Sequence, residues 1–127
     1  DLKNPMDEDV RSRVLSAKEV DTYAYIDLLE GRKQAERKFF ESMQNFDVII
    51  TPTIVDEAPI ISSVDQSISP GYFTRPFNYA GMCALSIQMG LSKSGLPLGF
   101  QVVARPNSEE LILQVGAAVE RESQPLF

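Results

Sequence analysis

Five groupings of residues in this sequence could do chemistry. Ser62-Ser63 puts two hydroxyls together, Ser92-Lys93-Ser94 puts an amine between two more, and Cys83 offers a thiol. Asp7-Glu8-Asp9 and Glu109-Glu110 gather carboxylates. Acyl transfer through any of these would require a nucleophile, a base to take its proton and donors for the oxyanion. The sequence has no histidine, which removes the commonest general base and the commonest transition-metal ligand together. Ser62-Ser63 follows Ile60-Ile61 and has no neighbouring glycine to expose backbone amides. In Ser92-Lys93-Ser94 the adjacent side chains of a turn point apart into solvent. Cys83 lies among Met82, Ala84 and Leu85, apolar surroundings that raise a thiol pKa and leave an inert core cysteine. Three consecutive carboxylates cannot converge on one ion, and Glu109-Glu110 suits the positive end of a helix. We therefore expect no catalytic residue, no metal site and no cofactor on this chain.

Charge and length exclude further classes. The net charge of −6 opposes nucleic acid or an anionic membrane as partner, because phosphate neutralisation needs clustered Lys and Arg. No run of about 18 apolar residues is present, so no membrane-spanning helix is expected. The single cysteine cannot form an internal disulfide, which favours a reducing and hence cytoplasmic compartment. At 127 residues the chain is one domain or less.

The elements that would position these groups follow from pattern. Asn4-Pro5 reads as an N-cap with proline in the first turn, opening a helix over about 5–15. Ser16-Ala17-Lys18-Glu19 has the form of a capping box for a second helix over about 17–44. Leu28, Ala35, Phe39, Met43 and Phe46 recur at helical spacing and predict one buried stripe, with Glu30, Lys33, Gln34, Arg37, Lys38 and Glu41 on the solvated face. Asp47–Thr51 reads as a strand covered on both faces. Two alternating runs then predict a central hairpin, with strands over about 84–90 and 98–104 and a turn at Ser92-Lys93-Ser94-Gly95. Leu85, Ile87 and Met89 would share one face, as would Leu98, Phe100, Val102 and Ala104. Asn107-Ser108-Glu109-Glu110 caps a last helix over about 108–122, whose stripe is Leu111, Ile112, Val115, Ala118 and Val119. The fold class is α/β. The stretch between Thr53 and Pro76 has no sustained period and is longer than an ordinary connection. At its end Tyr72, Phe73 and Arg75 bring two aromatics and a guanidinium together, as a pocket wall or as packing on the core.

The ordered set Asn78, Ala80, Gly81, Gly90, then Gly95-Leu96-Pro97-x-Gly99-x-Gln101, with the Asp47–Thr53 strand upstream and a Glu-bearing helix after, resembles the C-terminal region of the amidase signature hydrolases. The resemblance runs from about Val10 to Arg121. It implies a large mixed β-sheet flanked by helices, of which this chain supplies three strands, the central hairpin and outer helices: a partial amidase signature domain over residues 1–127. It implies cleavage of carboxamide C–N bonds by a serine, a cis-serine and a lysine. The family carries its serines in a Gly-Gly-Ser-Ser-like stretch, which this sequence lacks, so the triad would lie in an N-terminal portion of the same domain. Asn78, Gly81, Gly95, Pro97, Gly99 and Gln101 would then be structural motif residues. Tyr72, Phe73 and Arg75 would be substrate-binding, with the Thr53–Arg75 loop helping to choose a small amide.

The chain departs from the family's pattern at Cys83 and Gln88, where members often carry proline; neither change removes a catalytic group. The tRNA-dependent amidotransferases, whose amidase-like chains resemble this region too, usually carry an acidic residue where Gly71 stands. Its absence favours a stand-alone amidase acting on small or hydrophobic amides. The competing readings are an autonomous, non-catalytic α/β binding domain or a partner protein without catalysis. An orphaned piece of sheet would leave an apolar face exposed and could form a homodimer through it.

Overall fold

The structure, a computed structural model, describes residues 5–65, 68 and 70–122. The chain runs α1 (Glu8–Leu15), a 3₁₀ turn (Ser16–Glu19), α2 (Thr22–Ser42), β1 (Ile49–Pro52), a 3₁₀ turn (Ile61–Ser63), α3 (Arg75–Tyr79), β2 (Cys83–Leu91), β3 (Pro97–Ala104) and α4 (Glu109–Glu122). The Asn4 cap lies outside the described residues. Asp7 instead accepts from the Val10 amide at 3.3 Å. The capping box at Ser16 does not form. The Ser16 hydroxyl donates to the Arg13 carbonyl at 2.7 Å and so closes α1. Asp21 is the N-cap of α2, its carboxylate accepting from the Ala24 amide at 2.8 Å.

The three strands form one antiparallel sheet in the order β1-β3-β2. The turn between β2 and β3 is closed by the Gly95 amide on the Ser92 carbonyl at 3.0 Å and the Ser92 amide on the Leu96 carbonyl at 2.7 Å. Gly95 sits at φ 84°, a conformation only glycine adopts without strain. Ile87, Phe100, Val102, Ala104 and Ile112 form the core between the hairpin and α4, with Leu85, Leu111, Val115 and Val119 partly buried around it. Two members of the expected stripes fall out. Met89 has no partner on β3, because the register passes from Gln88–Gly99 to Gly90–Leu98, and this bulge leaves it 58% exposed. Ala118 is exposed, and Gly116 takes the buried place in α4.

Burial on both faces belongs to β3 rather than β1. Val102 and Val103, which point to opposite sides, are each 0% exposed. β1 is an edge strand whose Ile50 is exposed, and α4 packs chiefly on β2 and β3. Opposite α4, the sheet meets the short α3, which pattern does not predict, and the end of α2 packs on α3. Phe39 and Phe77 stack there with centroids 6.1 Å apart, and Met43 is buried. The α2 stripe is thus covered only at Phe39 and Met43; Leu28, Ala35 and Phe46 are exposed. α3 ends in a Schellman arrangement: Gly81, at φ 64°, donates to the Asn78 carbonyl at 3.2 Å and Met82 donates to the Phe77 carbonyl at 3.0 Å. That accounts for the Asn-x-Ala-Gly spacing, since the left-handed position favours glycine.

Candidate pocket wall

The long loop leaves the sheet at Thr53 and returns at α3. Its first limb is fixed in two places. The Thr53 amide donates to the Gly99 carbonyl at 3.0 Å, and its hydroxyl lies 2.7 Å from that of Ser86. A β-carbon on Gly99 would stand 3.1 Å from both hydroxyl oxygens, so glycine at this point leaves room for the pair. Farther along, Ser94 in the hairpin turn donates to the Glu57 carboxylate, and Ser92 and Ser94 lie 2.8 Å apart. Ser92 and then Ser94 hold the Glu57 carboxyl below the ordinary glutamate range by hydrogen bonding to its charged form. A depressed pKa means that the tether is present above the ordinary glutamate value and is lost as pH falls through the lowered one. We predict that an NMR titration of the Glu57 carboxyl gives a midpoint below that of free glutamate, and that S94A raises it towards the free value.

The second limb carries the three residues expected to bind substrate. Tyr72 is 72% exposed and meets Phe73 edge to face, with ring centroids 5.1 Å apart at 88°. Arg75 is exposed at the start of α3, with its amide bonded to the Gly71 carbonyl at 2.9 Å. The two rings are therefore together. The arginines stacked over rings among the described residues are different ones, Arg32 over Tyr79 at 5.5 Å and Arg105 over Phe40 at 5.9 Å. Between its limbs the loop carries a cavity of about 330 Å³ lined by Pro59, Ser63, Val64, Asp65, Ile68 and Pro70.

The motif residues turn out to be spread over distinct tasks. Asn78 and Gly81 end α3, Gly95 makes the hairpin turn, and Pro97 opens β3 opposite Leu91. Gly99 and Gln101 lie on the sheet face opposite α4. Gln101, 2% exposed, is the buried polar side chain of this face. Its amide nitrogen lies 2.9 Å from Thr51 Oγ1, 2.9 Å from the Phe73 carbonyl and 3.3 Å from the Pro52 carbonyl.

The candidate nucleophiles Ser63, Ser94 and Cys83 each have a structural partner. The Ser63 hydroxyl donates to the Ile60 carbonyl at 2.8 Å, Ser94 serves Glu57, and the Cys83 thiol donates to the Arg105 carbonyl at 3.1 Å. Among the described residues no group of three or more Cys, Asp or Glu side chains could hold a metal ion. No helix among them is long and apolar enough to cross a membrane.

These observations define a class: an α/β unit of three antiparallel strands and flanking helices, with a site made of loop anchors and ring surface. The Amidase family model matches residues 6–113, and the chain belongs to that family. It is 37% identical over 116 residues to the amidase-family chain of the glutamyl-tRNA(Gln) amidotransferase of Granulibacter bethesdensis, covering 88% of this chain and 23% of that protein. With the fatty acid amide hydrolase of Medicago truncatula it shares 39% identity over 99 residues, 71% of this chain and 16% of that protein. The solved structure of 6-aminohexanoate cyclic dimer hydrolase superposes with a TM-score of 0.76 at 26% identity, over 98% of this chain and 30% of that one. The chain thus spans less than a third of the length of each.

Proposed function

We propose that this chain is the C-terminal portion of an amide hydrolase, cytoplasmic and cofactor-free, that cleaves carboxamide C–N bonds. In this reading the serine, cis-serine and lysine lie in an N-terminal portion of the same domain. The chain contributes sheet, packing and one wall of the acyl pocket, where Tyr72, Phe73 and Arg75 meet a small amide. A hydrophobic acyl group suits the exposed apolar residues of the loop, Val55, Ile60, Ile61 and Ile68.

The observation that carries the reading is one face of α2. Arg32, Glu36, Phe39 and Met43 follow one another at spacings of four, three and four; Phe39 packs on Phe77 of α3 and Met43 is buried. The same face continues towards the N-terminus as Tyr25, Leu28 and Leu29, which are 57%, 59% and 39% exposed. Between α2 and α3 it opens into a cavity of about 170 Å³ lined by Ala35, Glu36, Phe39, Pro76, Tyr79 and Ala80. A helix face whose apolar residues on either side of the Arg32–Glu36 ion pair are covered only at one end calls for more protein at its open end. The N-terminal portion of the domain is the partner proposed for it. In the absence of that portion, a homodimer through this stripe is the expected alternative.

A second reading, part of a tRNA-dependent amidotransferase, is favoured by the 37% identity to a chain of such an enzyme. Ammonia release from a hydrophobic carboxamide, set against amidation of glutamyl-tRNA, separates the two in the complete protein. Replacing the serine nucleophile there should abolish hydrolysis. C83A should leave kcat/KM within about twofold, since the thiol only caps a backbone carbonyl. Activity surviving loss of the serine would contradict the proposed mechanism.

A further inference from the structure

We propose that Gln101 is a positioning residue that clasps the base of the long loop and so fixes the Tyr72–Arg75 wall against the sheet. Its effect on substrate rests on the amide-hydrolase reading; the clasp itself rests on geometry alone. Gln101 stands in the middle strand, paired with Thr51 on one side and Ser86 on the other. Thr51 and Pro52 are the last residues of β1, where the chain leaves the sheet. Phe73 lies two residues before α3, where it comes back. One amide nitrogen reaches all three, at 2.9, 3.3 and 2.9 Å. A single side chain thus joins the exit and the return of an excursion of about 20 residues, which makes the segment a closed loop with adjacent ends.

The residue type follows from the acceptors. Two backbone carbonyls and a hydroxyl oxygen converge at one buried point, and carbonyls can only accept. The carbonyls identify the facing group as the nitrogen, and they demand a donor. Lysine would bury a charge there, glutamate would set an acceptor against acceptors, and leucine would take the donor away from the Phe73 carbonyl. Asparagine keeps the amide but is one methylene short of spanning to both limbs. The other fastenings, Thr53 on Gly99 and Ser86 and Glu57 on Ser94, hold only the first limb. Gln101 is the side chain that ties Phe73, and with it the Tyr72 ring and the start of α3, to the sheet.

The test uses the complete protein with Gln101→Leu, Gln101→Glu and the milder Gln101→Asn, and with Gln88→Leu on the exposed edge of β2 as a control. Peptide-resolved hydrogen exchange should show amides of residues 71–75 exchanging about tenfold faster in all three Gln101 variants, with β2, β3 and α4 keeping their protection. Kinetically, KM for a carboxamide with an apolar acyl group should rise about tenfold while kcat stays within about twofold. Gln88→Leu should change neither. Unchanged exchange at 71–75 in the asparagine variant, or protection lost evenly across the sheet, would overturn the clasp. A fall in kcat at constant KM would overturn its role as a substrate-positioning residue. If the wild-type protein hydrolysed no amide, the hydrolase reading would fail, and exchange at 71–75 would still decide the clasp.

Discussion

Phe100→Ala should destabilise the chain by about 3–5 kcal/mol, a large share of the roughly 5–15 kcal/mol that holds an ordinary domain. Phe100 is the largest side chain of the core cluster that also holds Ile87, Val102, Ala104 and Ile112. It sits on β3, the strand paired on both edges, opposite Ile87 on β2 and Pro52 on β1. Truncation would leave a cavity between the hairpin and α4, and the paired strands around it have little freedom to collapse into the gap. Chemical denaturation followed by circular dichroism measures the loss. A fall of less than about 1 kcal/mol, the usual size of a surface substitution or smaller core trim, would show that this cluster is not the centre of the fold.

Gly116→Leu should cost about 3 kcal/mol, the upper part of the range for overpacked cores. A β-carbon at Gly116 would stand 2.5 Å from Leu85 Cδ2 and 3.2 Å from Ile87 Cδ1. The tips of the Leu85 and Ile87 side chains fill the space that a side chain at 116 would need, so a leucine must displace them from the core or lift α4 from the hairpin. Glycine is otherwise a poor helix residue; what it gives α4 is room for these tips. The expected thermal signature is a melting point lower by about 10 °C, with exchange protection lost in α4 and on β2 before β1. An unchanged melting point would mean that α4 is not seated on Leu85 and Ile87.

The hairpin and α4 are legible in the sequence because their apolar periods are long and uninterrupted. Leu98, Phe100, Val102 and Ala104 read as one face, and the last three pack as one in the core. Met89 does not follow its stripe, since a bulge adds a residue without altering the alternation that precedes it. Ser16 looks like a helix start because a capping box is a local pattern. Its hydroxyl is taken by the preceding turn, and Asp21, which carries no such pattern, makes the cap. Pattern also reads the α2 stripe as buried throughout. Periodicity marks a face that prefers cover, and Leu28 shows that it does not say whether the cover lies in this chain. Gly116 is invisible to pattern, because a missing side chain leaves no apolar mark.

The candidate site is less legible than the fold. Gly-Leu-Pro-x-Gly-x-Gln points to the family, but the tasks of its residues emerge only in three dimensions. Gly99 makes room for the Thr53–Ser86 pair, and Gln101 joins segments 28 and 50 residues away in sequence. The Glu57–Ser94 contact likewise spans 37 residues, and no local spacing announces it.

In the proposed enzyme this chain supplies wall and scaffold but not the reacting groups. The direct measurement is ammonia release from a hydrophobic carboxamide, made with the 127-residue chain alone and with the complete protein at equal concentration. Background is expected for the chain alone and turnover for the complete protein, abolished by replacement of its serine nucleophile. Turnover by the chain alone, lost on substitution of Ser63, Ser94 and Cys83 together, would contradict that division of labour.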